Sequence, residues 1–305
     1  MKLHVGAYAA TAGLDEAAEA ALYAGLAGMD LAGLEQPFFG TLHRRDEGWL
    51  IGQIRPEWSL ILTTLPGTMD RLAGDRRFGL ASADADARQR ALDYLESARR
   101  AVETLHRALG RRAVRAVMVH SAPRLDGSRA KRSLDGFAEA LSDLRDRDWQ
   151  GASLLVEHCD AAVPGLEPDK GFLSIEDDVL AAKLSEGRTP VAVAINWGRS
   201  AVETRSAEGP LEHIARAVQA DLLGALVFSG ATPAHPDYGA WRDSHAPFST
   251  SVPESILTPA AAQAALSEAG PCPLLGLKLQ TKPPSLPVPE RLAVIQDGLN
   301  ALRYR

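Results

Sequence analysis

The chain of 305 residues has few cysteines and no long hydrophobic run. Its two cysteines, Cys159 and Cys272, are too few for a disulfide framework, so we expect a reduced, cytoplasmic protein. The longest apolar runs, such as residues 60–62 and 191–195, fall far short of the roughly 18 residues that span a bilayer. Because the first residues also lack an apolar leader, we expect neither a secretory signal nor a membrane partner.

The chain also lacks an excess of basic charge. Its 33 Lys and Arg residues face 39 Asp and Glu residues, which gives a net charge of −6. Basic residues cluster only briefly, at 111–112 and 129–132, whereas a protein that binds a nucleic-acid backbone needs a sustained basic face. We therefore expect no nucleic-acid partner. The absence of a Gly-x-Gly-x-x-Gly or Walker loop after a strand also disfavours a doubly wound, nucleotide-binding sheet.

Short apolar segments alternate with longer amphipathic stretches along the whole chain. The segments are rich in Val, Leu and Ile, which is typical of strands buried on both faces. They comprise residues 3–8, 31–35, 59–63, 114–120, 153–157, 191–196, 225–229 and 274–279. Eight strands, each followed by room for a helix, predict an α/β fold with a single (β/α)8 TIM barrel that spans residues 1–305 as one domain.

The segments between the strands carry helix signals and two long loops. Apolar residues recur every three or four positions over 88–109, and Gly110 follows as a C-terminal cap. Ser174 begins a capping box, and Thr258 precedes a proline suited to a first helical position. We expect long loops at 66–86 and 230–253 on the catalytic face of the barrel. Within the second loop, Trp241 and Phe248 either shape the site or pin the loop to the barrel.

Polar residues end the predicted strands, and a barrel brings the carboxyl ends of its strands to one face. The residues at these ends are Tyr8, Glu35, His120, Glu157, Asn196, Ser229 and Lys278. We interpret Glu157, Lys278, His120 and Glu35 as candidate catalytic residues, because they offer groups that move protons or stabilise charge. Asn196 and Ser229 are candidate substrate ligands. Tyr8, Trp197, Phe38 and Trp241 are expected to wall the pocket.

Each candidate also has a structural interpretation. Glu157 could form a buried ion pair, and Lys278 must reach the pocket or a carboxylate, because an unpaired buried charge is unstable. Glu35 could instead cap the following loop, and Asn196 could satisfy backbone groups at the end of its strand. His158 should point away from Glu157, since successive strand residues face opposite sides.

Outside these strand ends, His213 and Cys159 have side chains of types that often act in catalysis. His213 is expected at the surface or in helix packing. Cys159 is expected to be a small buried residue rather than a nucleophile.

Four segments together resemble the xylose isomerase-like TIM barrels, a superfamily that includes sugar-phosphate isomerases and epimerases and endonuclease IV. The segments are residues 156–159 (VEHC), 194–199 (AINWGR), 226–229 (LVFS) and 276–278 (GLK). The resemblance covers essentially the whole chain and is closest to an uncharacterised branch with degenerate metal-ligand motifs. It implies the barrel fold and an isomerase or epimerase acting on sugars.

The resemblance also implies a divalent metal, for which the expected ligands are partly replaced. Glu157 matches the family's metal ligand on strand five. Asn196 occupies the position where the family has a ligand Asp, and Arg199 lies near the position where it has a ligand His. Asp243 and His245 could enter from the loop near Ser229. Lys278 replaces the last Glu, and an ammonium repels a divalent ion. Either the metal is lost or a rearranged set holds it, with Glu157, His120 and His245 as the candidate ligands, joined by Glu35.

The leading functional hypothesis is a sugar isomerase or epimerase that moves a proton on a small polyhydroxylated carbonyl substrate. In this hypothesis Arg199, Asp243 and His245 help to bind the substrate, and Lys278 replaces the metal. One alternative is a metal-free lyase, aldolase or dehydratase, in which a deprotonated Lys278 forms a Schiff base. Another is a non-catalytic, sugar-binding barrel. A repair nuclease is a distant alternative. The expected partner is a sugar-like small molecule, and a homo-oligomer is left open.

Overall fold

The computed structural model describes residues 1–124 and 130–303, and its core is a closed barrel of eight parallel strands in the order β1 to β8. The strands are β1 His4–Val5, β2 Gly33–Pro37, β3 Ser59–Thr63, β4 Val114–Val119, β5 Ser153–His158, β6 Val191–Asn196, β7 Leu223–Phe228 and β8 Leu274–Leu277. Each strand pairs in parallel with its sequence neighbours, and β8 pairs with β1. The predicted (β/α)8 barrel is confirmed.

Helices connect the strands around the outside of the barrel. In the described residues they are α1 Glu16–Ala27, α2 Glu47–Gln53, α3 Leu65–Gly74, α4 Ala85–Leu109, α5 Ala130–Asp146, α6 Ile175–Leu184, α7 Trp197–Thr204, α8 Gly209–Gln219, α9 Pro259–Ala269 and α10 Val288–Arg303. A short 3-10 helix spans Ala7–Ala10. None of these helices combines the length and the hydrophobicity needed to cross a bilayer.

The predicted helix caps are present. Gly110 ends α4 in the left-handed conformation, with φ of 65°, which a glycine adopts without strain. The Ser174 side chain accepts a hydrogen bond from the backbone N–H of Asp177 at the start of α6. Thr258 caps α9 in the same way, and Pro259 occupies its first turn.

Two expectations, one about a connection and one about the length of a strand, are wrong. Residues 66–86 do not form one long loop, because α3 occupies the first part of them. Pro66 and Gly67 in the first turn of α3 gave that segment the composition of a loop, although proline is well suited to the first turn of a helix. The predicted first strand is also too long: β1 ends at Val5, and Tyr8 lies in the 3-10 helix that follows.

Alternating side chains fill the inside of the barrel. An interior cluster is formed by residues of β3 to β7 that are each about 1% exposed or less: Ile61, Ala116, Met118, Leu155, Ala194, Ala225 and Val227. The opposite faces of the same strands pack against the helices in a larger core. This alternation fixes the side of the barrel wall to which each strand-end residue points.

Candidate active site

Residues at the carboxyl ends of the strands continue the interior face of the barrel. Glu157 lies two positions after Leu155, and His120 lies two positions after Met118, so both share the side of the interior cluster. Glu35 pairs in register with the interior residue Ile61. The structure therefore brings together the four residues interpreted as catalytic, since Lys278 follows β8 at the same end, and each is at most 3% exposed.

Lys278 lies between two buried carboxylates. Its Nζ is 2.6 Å from Oε1 of Glu35 and 3.8 Å from Oε1 of Glu157. The Tyr8 hydroxyl donates to the same Glu35 oxygen over 3.0 Å. Burial opposes the charged form of Lys278, but Glu35, Tyr8 and Glu157 outweigh it and raise the pKa of Lys278 above its ordinary value. In this arrangement the side chain is held as an ammonium, whereas a Schiff base requires the neutral amine.

Glu157 contacts Arg199 and His120 in addition to Lys278. Its Oε1 lies 2.6 Å from an Nη1 of Arg199, and its Oε2 lies 2.7 Å from Nε2 of His120. Burial opposes ionisation, but Arg199 and Lys278 outweigh it and hold the pKa of Glu157 well below its usual range. Burial also lowers the pKa of His120. A neutral His120 thus donates its Nε2 proton to a Glu157 carboxylate that is ionised at neutral pH.

The loop after β7 adds a second ion-pair centre at Asp243. Oδ2 of Asp243 is 3.0 Å from Nε of Arg199 and 3.1 Å from Nζ of Lys170, while Oδ1 is 3.2 Å from Nδ1 of His245. Burial opposes ionisation of Asp243, but Arg199 and Lys170 hold its pKa well below the usual range. Burial lowers the pKa of His245 to about 3, so this imidazole is neutral. Arg199 therefore bridges the carboxylates of Glu157 and Asp243.

The side chains of Asn196 and Ser229 contact each other and the residues that surround Asp243, namely Arg199 and His245. Ser229 Oγ donates to Oδ1 of Asn196 over 2.8 Å and lies 3.4 Å from Nδ1 of His245. Asn196 also caps α7, because its Oδ1 accepts the backbone N–H of Arg199. A structural role for Asn196 at the end of its strand is thus present, and it fixes the start of the helix that carries Arg199.

A cavity of about 530 Å³ lies on the β1, β2 and β8 side, and Glu35, His120, Glu157 and Lys278 are not among its lining residues. Tyr8, Asp243 and His245 line it, as do the amide side chains of Gln36 and Gln280. Three of the four predicted pocket walls do not line it. Trp197 and Phe38 are each about 1% exposed or less and lie in the hydrophobic core, and Trp241 packs against that core from the loop after β7. Trp197 and Phe38 lie on the core side of the barrel wall, and the aromatic residues that line the cavity are Tyr8, Tyr23 and Phe39.

A second cavity, of about 540 Å³, lies on the side of β3 to β5. Lys170 and Asp169 line it, and Nζ of Lys170 is 2.7 Å from Oδ2 of Asp169. Neither residue was predicted from the sequence, although a charged pair in the connection after β5 is a signal for the catalytic face of a barrel. Lys170 contacts Asp243, so its ion pair stands between the two cavities.

The barrel centre does not fit the divalent metal that the resemblance implies. The candidate ligand Glu157 is in ion-pair contact with both Arg199 and Lys278, and two cations repel a third. Within the described residues, Glu157, His120 and His245 do not form a group with metal-ligand spacing. The group that does so consists of His158, Glu203 and His213, on the other side of the barrel wall.

His158 points away from Glu157, as predicted, and is completely buried between two carboxyl groups. Its Nδ1 is 2.8 Å from Oδ2 of Asp178 on α6, and its Nε2 is 2.9 Å from Oε2 of Glu203 on α7. Burial opposes its charged form, but these two bonds raise the pKa of His158 to about 10. His213 on α8 packs edge-on against His158 and is buried, in agreement with its predicted helix packing. Asp178 and Glu203 were missed, because helical carboxylates usually lie in solvent.

Comparisons with known proteins agree with this architecture. A family model described as a domain of unknown function, DUF4862, matches residues 4–294, so the chain belongs to this family. The uncharacterised protein STM3670 of Salmonella typhimurium is 34% identical over 278 residues, which cover 90% of this chain and 86% of that protein.

Three solved structures share the fold at low sequence identity. The IOLI protein, solved with a zinc atom, has a TM-score of 0.64 at 10% identity and covers 99% of this chain and 98% of its own. A xylose isomerase domain-containing protein of Salmonella typhimurium has a TM-score of 0.57 at 11% identity, and the match covers 93% of this chain and 92% of that protein. The 3-keto-D-glucoside 4-epimerase YcjR of E. coli has a TM-score of 0.59 at 12% identity, and the match covers 98% of this chain and 100% of that protein. The chain thus shares the TIM-barrel fold of these three proteins.

Proposed function

We propose that this DUF4862 protein is a cytoplasmic sugar isomerase or epimerase, which moves a proton on a small polyhydroxylated carbonyl compound and uses side-chain cations in the barrel centre. The observation that carries the proposal is the Lys278 ammonium between the Glu35 and Glu157 carboxylates. The low-identity structural neighbours support the fold, and among them is an epimerase of a keto-sugar.

Isomerisation and epimerisation of a carbonyl sugar both remove a proton from the carbon beside the carbonyl group. Isomerisation then returns a proton to the former carbonyl carbon, whereas epimerisation returns it to the opposite face of the same carbon. The intermediate carries negative charge on oxygen, which a fixed, desolvated cation stabilises. Lys278 supplies that cation in our proposal. It is buried and remains protonated at neutral pH, because its pKa is raised.

Glu35 is the group that we assign to proton transfer. Glu157 is held as an ionised carboxylate by Arg199, Lys278 and His120, so it is a weak base. Glu35 contacts Lys278 and Tyr8, and Tyr8 also lines the cavity of about 530 Å³. A substrate carbonyl at the Tyr8 hydroxyl would thus lie beside both the carboxylate and the ammonium.

The cavity offers hydrogen-bonding groups suited to the hydroxyls of a sugar. Gln280, Gln36 and His245 line it, and His245 is a neutral imidazole that can both donate and accept. Tyr23 and Phe39 provide apolar faces. A few polar groups on a largely apolar wall are typical of small-molecule sites.

The test is hydrogen exchange in D2O with a panel of aldoses, ketoses and keto-sugars, each with its phosphorylated counterpart. We expect deuterium to enter the carbon beside the carbonyl of one substrate class, detected by NMR and mass spectrometry. Glu35→Gln and Lys278→Met should each lower the exchange rate at least 100-fold, as loss of a proton carrier or an oxyanion partner does. The exposed residues Glu176 and Lys183 provide matched controls, Glu176→Gln and Lys183→Met.

Two results would contradict the proposal. If sugars bind to the wild-type protein without exchange or turnover, and binding survives Glu157→Gln and Lys278→Met, the protein is a binding barrel. If a borohydride-trapped adduct forms on Lys278, the reaction proceeds through a Schiff base and the ammonium assignment is wrong.

A further inference from the structure

We propose that His158, Glu203 and His213 form a binding site for a divalent transition metal such as zinc, outside the barrel wall and separate from the proposed active site. These residues come from β5, α7 and α8 and converge behind the barrel. The inference does not depend on the proposed function, because the cluster lies on the opposite side of β5 from Glu157.

The spacing of the ligand atoms suits a tetrahedral ion. Nε2 of His158 is 2.9 Å from one Glu203 oxygen, and Nε2 of His213 is 3.6 Å from the other. Ligands that lie about 2.0 to 2.1 Å from a zinc ion in a tetrahedron are roughly 3.3 Å apart. Two imidazoles and one carboxylate are also a donor set that zinc prefers.

The outer partners of both histidines are already in place. Nδ1 of His158 is bonded to the Asp178 carboxyl group, and Nδ1 of His213 is 2.9 Å from the Ser200 hydroxyl. A histidine that binds a metal through one nitrogen usually donates the other to a carboxylate, a carbonyl or a water, which fixes the ring and its tautomer. Both rings are thus oriented with Nε2 toward the shared carboxylate of Glu203.

The charge and burial of the cluster favour a cation. Asp178 and Glu203 place two carboxyl groups in a region where the side chains of Glu203, His213 and His158 are at most 9% exposed. The protonated His158 supplies one unit of positive charge to these carboxyl groups, and a divalent ion that displaces its Nε2 proton would supply two. Glu203 and His213 are the more exposed ligands, so an ion would enter from their side.

The cluster is coupled to the proposed active site by the chain itself. Glu157 and His158 are neighbours on β5, and Arg199 and Glu203 lie one turn apart on α7. A metal held by His158 and Glu203 would lock β5 to α7, and these two elements carry the Glu157–Arg199 ion pair. We therefore assign the site a structural role behind the proposed active site.

The test is zinc and cobalt binding to chelator-treated protein. We expect one ion per chain, tetrahedral cobalt absorption in the visible range, and a Tm rise of about 4 °C at zinc 100-fold above its Kd. His213→Gln should remove all three signals. Ser200→Ala, which leaves every ligand in place, should weaken binding about 10- to 100-fold and covers the case in which His213→Gln does not fold.

His245→Gln is the matched control, because His245 is the histidine predicted as a metal ligand at the cavity. Zinc should bind this variant as it binds the wild type. The proposal is overturned if wild-type protein binds no zinc at micromolar concentration, if His213→Gln binds it normally, or if only His245→Gln loses it. A site of the last kind would lie in the barrel, not behind it.

Discussion

Replacing Lys278 by methionine removes an ammonium that contacts both Glu35 and Glu157 while keeping a side chain of similar length. Glu157 retains Arg199 and His120, whereas Glu35 retains the Tyr8 hydroxyl. The penalty should therefore fall mainly on Glu35, which is 2% exposed. Removing one partner of a buried ion pair destabilises a protein by about 3–5 kcal/mol, because the other charge remains buried without compensation.

The free energy of unfolding, measured by urea denaturation at pH 7.5, provides the assay. We expect Lys278→Met to lower it by about 3–5 kcal/mol, and the exposed-site control Lys183→Met to change it by less than about 0.5 kcal/mol. Adding Glu35→Gln to Lys278→Met removes the uncompensated carboxylate and should restore at least half of the loss. The raised pKa of Lys278 means that its stabilisation is complete below its ordinary pKa of 10.5 and is lost only above that pH.

Two outcomes would refute this reasoning. A loss below about 1 kcal/mol in Lys278→Met would show that Glu35 does not depend on the ammonium. A double variant no more stable than the single one would show that the loss arises from packing and not from the unpaired carboxylate.

Two further predictions concern the cluster behind the barrel and the packing of α7. In chelator-treated, metal-free protein the pKa of His158 is raised from 6.5 to about 10, so its stabilisation is complete below pH 6.5 and is lost as the pH rises to 10. The free energy of unfolding, measured by denaturation at several pH values, should fall by up to about 1.4 kcal/mol per pH unit in this window. His158→Gln should remove this slope. A Cβ on Gly198 would lie 2.6 Å from the carbonyl oxygen of Ser229, so Gly198→Ala should lower the free energy of unfolding in urea by about 1–3 kcal/mol. The control is Gly52→Ala in α2, where a Cβ meets nothing within 4 Å; it should be neutral or stabilising by up to about 1 kcal/mol. Equal effects of the two substitutions would contradict the close packing of α7 on β7.

The barrel could be predicted from sequence because its signal is strong and repeated. Strands buried on both faces are continuous apolar runs, and the predicted bounds of β3 and β6 agree with the structure. Weaker signals did not predict two helices. Pro66 and Gly67 gave the start of α3 a loop-like composition, and the seven-residue α2 was not predicted. Short helices depend on tertiary packing more than on their own periodicity.

The proximity of the candidate residues was predictable, but their pairing was not. The rule that barrel strand ends meet at one face brought Glu35, Glu157 and Lys278 together in the sequence analysis. The bridge from Lys170 through Asp243 to Arg199 depends on two loop conformations, which sequence patterns do not determine. Alternation along β5 predicted the direction of His158, whereas its carboxyl partners on α6 and α7 depend on helix placement.

In our proposal, side-chain cations and no metal stabilise charge at the barrel centre. The most direct measurement is the rate of deuterium incorporation into the accepted sugar by chelator-treated protein, with and without added divalent ions. We expect exchange to persist without metal, to be unchanged by added ions apart from gains in stability, and to be lost in Lys278→Met. Exchange that requires a metal and survives Lys278→Met would contradict the proposal.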